Sequence, residues 1–291
     1  MTTDLTRAGR EPAVEPNTPG YFEHSPFGPA NSLVPTDLAA GGWDDEQLRG
    51  MAVSAALARA IETEAATGIA SGDYLPTRWT VDLYRPTRDA PVSTNVQIVR
   101  AGRRLQLWDA HLIQSGEVVA RANVVLLRSG DPTTGRVWGG ATEEPEPPPT
   151  SLLPVGREGR LYRTGHAPWA AGPTREPNDL RKQIWILDRP TVTGEQCTAF
   201  QCAAAAADVA SLVLNWGSAG LEFINADLSL HLCRLPEGGA VGVAPIKRLE
   251  GQGVMSGVTA IFDRRGEFGT VTIAALANSR KTVDPVLFLT R

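Results

Sequence analysis

The sequence predicts an α+β chain of two lobes, each a long helix wrapped by an antiparallel β-sheet. Three observations predict it. A helix-type apolar run is followed by four strand-type runs, this order occurs twice, and a Pro-rich stretch separates the two occurrences.

In the first lobe, Gly41-Gly42-Trp43-Asp44-Asp45 leads into MAVSAALARAIETEAA, Met51 to Ala66. Leu48, Met51, Ala55, Leu57, Ala58 and Ile61 fall mostly three and four residues apart, the spacing of one helix face, and Asp44 or Asp45 is placed to cap its start. Four runs then alternate apolar and polar residues: Leu75 to Arg85, Val92 to Ala101, Arg104 to Gln114, and Val118 to Arg128. Gly102 and Gly116 stand where hairpin turns are needed.

The second lobe repeats the order. A helix is expected from Thr198 to Trp216 over AFQCAAAAADVASLVLNW. Strands follow over Leu221 to Arg234, Ala240 to Leu249, Val254 to Asp263 and Phe268 to Ser279. The run of five alanines, Ala203 to Ala207, lets strands approach that helix closely. A meander wrapped on its own helix still has an exposed edge and an unfilled face, and joining two lobes resolves both.

Between the lobes, Thr142-Glu143-Glu144-Pro145-Glu146-Pro147-Pro148-Pro149-Thr150 forms neither helix nor sheet, because proline fixes φ and removes donors. The expected division is a disordered tail over residues 1–20, an N-terminal lobe over 21–130, a Pro-rich linker over 131–178 and a C-terminal lobe over 179–291. Leu161, Tyr162 and Trp169 are expected to pack part of that linker on the surface.

The 291 residues suit two domains, and 42% hydrophobic with 21% charged residues is a globular composition. A net charge of −4 argues against nucleic-acid binding. There is no run of about 20 apolar residues for a membrane span and no apolar leader at the start, so a cytoplasmic location is expected. Cys197, Cys202 and Cys233 are too irregular for a disulfide framework or zinc knuckle. The four scattered histidines lack metal-ligand spacing, so no metal is expected. No strand–GxSxG–helix elbow and no P-loop is present.

Several segments together resemble a known family. They are Gly42-Trp43-Asp44, Thr80 to Pro86 (TVDLYRP), Ala206-Ala207-Asp208, Phe223 to Leu230 (FINADLSL) and Asp263-Arg264-Arg265-Gly266. In order and spacing they resemble the double-hotdog acyl-CoA thioesterases of the thioesterase II type and their actinobacterial relatives, over about residues 21–291. The resemblance implies a double-hotdog fold and a place in lipid metabolism. It also implies hydrolysis of a fatty acyl-CoA without a covalent intermediate, with coenzyme A present only as part of the substrate and no separate cofactor. Its catalytic group is an Asp on the second helix, a Thr, Ser or Asn on the next strand, and a Gln on the last. The Asp carries over onto Asp208 and the middle position onto Asn225. The Gln register lands between Ile273 and Ala275, in a strand without Gln. Relatives also show His-Gly-Gly near the first helix, where this chain has Arg49-Gly50-Met51.

Read as chemistry, Asp208 is a carboxylate in an otherwise apolar helix, which is costly unless paired and therefore suits a general base acting on water. Asn225 is the candidate to orient that water. Asp227 and Ser229 are expected to share its strand face, as a second acid or polar contact, and Ser229 or Thr272 to stand in for the Gln. Gly50 is the candidate for close backbone approach to the thioester oxygen, and Arg49 for a CoA phosphate. The second functional reading is a catalytically weakened hotdog protein that binds acyl-CoA or a related acyl ligand without turnover. A hotdog hydratase lacks its His with an acidic partner. Unpaired sheet edges leave room for a homodimer or higher homo-oligomer.

Overall fold

In a computed structural model, residues 18–27, 31–41, 46–65, 73–131, 134–135, 138–139, 144–154, 159–278 and 282–286 are described. Two short strands come first, β1 (Phe22–His24) and β2 (Ser32–Pro35), followed by helix α1 (Gly50–Glu64). The first-half meander is β3 (Tyr74–Leu83), β4 (Val92–Ala101), β5 (Leu105–Gln114) and β6 (Glu117–Arg128), within a few residues of the expected runs. After β7 (Arg160–Thr164) and β8 (Lys182–Leu187) come α2 (Ala199–Ala207) and α3 (Val209–Asn215). The remaining strands are β9 (Trp216–Gly217), β10 (Gly220–Leu221), β11 (Phe223–Asn225), β12 (Asp227–Leu232), β13 (Ala240–Gly251), β14 (Val254–Asp263) and β15 (Gly266–Ala277).

The large sheet runs β1-β2-β4-β5-β6-β3-β12-β15-β14-β13-β8-β7, with β11 pairing a further stretch of β15. Every pairing in it is antiparallel. Its seam is β3 against β12, from Asp82 opposite Asp227 to Arg78 opposite His231, so one continuous sheet crosses both halves. The alternation that marks the strands in sequence is an alternation of burial: in β6, Ala120, Ala122, Val124 and Leu126 face the core. Gly116 and Ser115 turn the β5–β6 hairpin at φ 81° and 52°, the left-handed values that a two-residue turn requires.

The expected pair of long helices is half right. Helix α1 runs for 15 residues and is buried on nearly every side from Met51 to Ile61, as an all-round apolar helix must be. The expected helix from Thr198 to Trp216 is instead two short ones, divided at Asp208. There the backbone makes i→i+3 bonds, from Asp208 N–H to Ala205 O at 3.3 Å and from Ser211 N–H to Asp208 O at 3.1 Å. Aspartate is a weak helix-interior residue because its carboxylate competes for other donors, and here those donors lie outside the helix. Asp44 and Asp45, the expected caps of α1, lie outside the described residues; the residue before the helix is Arg49, which makes no side-chain cap.

The alanines of α2 serve a helix–helix contact as well as the sheet. Buried Ser54 of α1 donates to Ala204 O of α2 at 2.6 Å and accepts from Trp79 Nε1 of β3 at 3.0 Å. Only small side chains allow two helix backbones to come that near. Ser54→Ala is expected to leave a buried carbonyl and indole N–H unsatisfied, lowering the free energy of unfolding by about 1–3 kcal/mol in a urea titration.

Part of the expected linker belongs to the sheet. Arg160 to Thr164 pairs with β8, and Leu161 and Tyr162 are buried rather than lying on the surface. Leu161, Trp185, Ala240, Ala244 and Phe262 form a second, smaller core, against which Leu152 and Trp169 from the rest of that segment pack. Nearby, Asp263 at the end of β14 is fully enclosed. Its carboxylate accepts from Arg234 Nη1 (2.6 Å) and Nη2 (2.8 Å) and from the N–H groups of Glu237 (2.9 Å) and Arg265 (2.8 Å). Among the described residues, no helix is long and apolar enough to cross a membrane.

Candidate active site

Helix α1 opens without a side-chain cap, so its first-turn N–H groups seek acceptors elsewhere. One finds the carboxylate of Asp208, which accepts from the Met51 N–H. The sequence permits this approach because residue 50 is glycine. A Cβ on Gly50 would stand 2.6 Å from Asp208 Cγ and 2.8 Å from its Oδ2, so the carboxylate would have to shift. Asn225 Nδ2, at the end of β11, donates to Asp208 Oδ1 at 3.3 Å. Three elements from both halves of the chain therefore converge on one carboxylate.

That carboxylate lies in the wall of a cleft of about 430 Å³. Leu83, Val209, Leu212, Leu221 and Ile224 supply apolar wall, and Arg49, Gly50, Met51, Arg85, Arg160, Ser211 and Asn278 line it as well. Burial pushes the Asp208 carboxyl above the usual aspartate range. The Asn225 and Met51 hydrogen bonds and the charges of Arg160 and Arg49 oppose that rise without cancelling it. A carboxylate with a raised pKa, held by two donors beside a cleft, is equipped to accept a proton from water.

Of the residues singled out from the sequence, Asp208, Asn225, Gly50 and Arg49 come together here. Arg49 is tethered by its Nε to Ala40 O at 2.8 Å. Asp227, Ser229 and Thr272 do not join them, which corrects the expectation of one shared strand face. Asn225 pairs with Ala275, but Ser229 pairs with Thr272, so the register against β15 slips by one residue at Ala226. A one-residue slip sends the following side chains to the opposite face. Thr272 is exposed and donates to Ser229 O at 3.4 Å, and Asp227 Oδ1 accepts from Ala274 N–H at 2.7 Å on that outer face. None of the three lines the cleft. At the register expected for Gln, buried Ile273 and Ala275 face inward, so apolar side chains occupy it.

Comparison with known proteins decides the family. The model of the acyl-CoA thioesterase N-terminal domain matches residues 40–127, and that of the acyl-CoA thioesterase C-terminal domain matches residues 136–272. The chain belongs to the acyl-CoA thioesterase family. Among solved structures, this thioesterase-family chain is similar to the TesB protein of Mycobacterium avium subs paratuberculosis, at 16% identity and a TM-score of 0.58 over 79% of this chain and 87% of that one. It is similar to the acyl-CoA thioesterase II TesB2 of Mycobacterium marinum, at 17% identity and a TM-score of 0.54 over 78% and 90%. A hot dog fold protein of Alicyclobacillus acidocaldarius gives 15% identity and a TM-score of 0.57 over 86% and 93%. At such identities the likeness is one of fold. No curated protein matches the chain.

One feature of the thioesterase-family cleft escaped the sequence reading. Arg160 of β7 reaches its wall from a stretch that reads as linker. The signal was five residues of alternating type, RLYRT, too short to stand out among turn-forming neighbours.

Gly50→Ala is expected to displace the Asp208 carboxylate. Overpacking of this kind lowers stability by about 1–3 kcal/mol, and misplacing a reacting group by about 1 Å reduces turnover by about 100-fold. A melting curve and thiol release measured on the same preparation check both.

Proposed function

We propose that this chain hydrolyses a fatty acyl-CoA thioester by direct attack of water activated by Asp208. The observation that carries the reading is the contact between Asp208, Asn225 and the uncapped start of α1 in the wall of one cleft. Asp208 takes a proton from water while Asn225 holds the oxygen in place, and that oxygen bonds to the thioester carbon. Negative charge collecting on the carbonyl oxygen meets backbone N–H groups at the α1 N-terminus, Gly50 foremost, where the helix dipole is favourable. The C–S bond then breaks, and the leaving thiolate takes back the proton held on Asp208, giving a free fatty acid and coenzyme A. The apolar wall suits the acyl chain, and Arg49 and Arg85, two of the cations lining the cleft, are the candidates for CoA phosphates.

The apolar pair Ile273 and Ala275, where the family places Gln, favours a second reading: an acyl-CoA binder with weakened or no turnover. A panel of fatty acyl-CoAs of graded length, read by free-thiol release and by calorimetric binding, separates the two. Thiol release that depends on Asp208 supports hydrolysis. Saturable binding without thiol supports the second reading, and neither binding nor release overturns both.

A further inference from the structure

Resting on the reading of Asp208 as the base, we propose that Arg160 is its positioning residue, acting from β7 to hold that carboxylate charged and seated against the α1 N-terminus. The placement is specific. Arg160 pairs with Ile186 in the sheet, so its backbone is fixed, and the residue is 7% exposed. Its Nη2 stands 2.9 Å from Met51 Sδ, and Met51 is the residue whose N–H donates to Asp208. Arg160 and Asp208 line the same cleft. The guanidinium therefore supports the residue that grips the carboxylate while placing a permanent positive charge close by.

The groups facing Asp208 can be taken element by element. The stretch before α1 brings Arg49, α1 brings the Met51 N–H, β7 brings Arg160, β11 brings the Asn225 amide, and α3 brings uncharged Ser211. Arg85 lines the cleft as well. Arg49 is directed by its Nε to Ala40 O, whereas Arg160 donates from Nη2 to Met51 Sδ at the α1 start itself. Burial drives Asp208 toward its neutral form, which accepts no proton from water, so a nearby fixed cation keeps the base usable. Apolar Ile273 and Ala275 stand on the last strand where the resemblance places Gln, and a strand outside the helix and last-strand positions supplies polar support.

The test compares Arg160→Met, which retains much of the stem, with Arg160→Lys, which retains the charge; Arg160→Gln serves if the Met variant fails to fold by circular dichroism. Two readouts are taken: kcat/KM for a fatty acyl-CoA against pH, and the NMR titration of the Asp208 carboxyl in aspartate-labelled protein, assigned with Asp208→Asn. In the neutral variant both the acid limb and the carboxyl titration are expected to move up by about one pH unit, and Lys is expected to restore most of the shift. A purely structural role would lower activity at every pH and leave the titration where it was. An unmoved titration in the folded neutral variant, or an equal shift in the Lys variant, overturns the proposal. Should the wild-type chain release no thiol, the hydrolase reading falls, while the carboxyl titration still decides for or against Arg160.

Discussion

Asp208→Asn is expected to abolish most thioester hydrolysis while leaving the protein folded, with kcat falling about 100- to 10,000-fold, the usual contribution of a positioned general base. The substitution keeps the shape and leaves an oxygen to accept from Asn225 and Met51, so the cleft retains its walls. What it removes is the ability to take a proton. The effect on stability has the opposite sign. Because burial raises the folded-state pKa of Asp208, the fold favours the protonated form. Its contribution to stability is therefore full below the ordinary aspartate pKa and falls as pH rises through that value toward the raised one. At neutral pH the wild-type chain carries that penalty and the Asn variant does not, so the variant is expected to melt at or above the wild type. Activity in the wild type should rise with pH through a midpoint above the usual carboxylate range. A variant that loses stability along with activity would contradict the assignment of a strained base, since functional carboxylates are held at a cost to the fold.

The second large effect lies away from the chemistry. Asp263→Ala is expected to lower the free energy of unfolding by about 3–5 kcal/mol, because it strands the Arg234 guanidinium and removes the acceptor of two backbone N–H groups. Chemical denaturation against the wild type measures it. Burial alone would raise the Asp263 pKa, but the Arg234 pair and the Glu237 and Arg265 N–H groups outweigh it and hold the carboxyl below its usual range. Its stabilisation is thus present above the ordinary aspartate pKa and is lost as pH falls through the depressed one. The residues Asp263-Arg264-Arg265-Gly266 that helped mark the family in the sequence do so as a structural corner, with no contact to the cleft.

Much of this molecule is legible in its sequence where burial alternates regularly. β6 and β15 match to within a few residues because one face of each packs on the core and the other does not, and β4 and β14, whose burial alternates over only part of their length, match their expected limits. The place of Asp208 in the cleft wall is legible too, since a carboxylate next to a run of alanines has few structural uses. Other features leave no local trace. The slip at Ala226 inserts one residue into a period of two, and FINADLSL reads equally well with Asn225, Asp227 and Ser229 in phase. The division of the second helix at Asp208 follows from donors on α1 and β11 that only the folded chain brings near. The proximity of Gly50 to Asp208 is a property of the β3–β12 seam and the α1–α2 contact, and neither glycine nor aspartate announces it.

That seam has a consequence for how such a chain could have arisen and what it tolerates. The Asp208 carboxylate belongs to one half, and the Met51 amide that grips it belongs to the other, so the site is owned by the junction. A single half, however well folded, would hold a carboxylate without its Met51 donor or a helix start without its guest. It would need the other half to restore the pairing. Fusing the halves makes that meeting permanent, and it frees each half to drift in sequence as long as the border between them is kept.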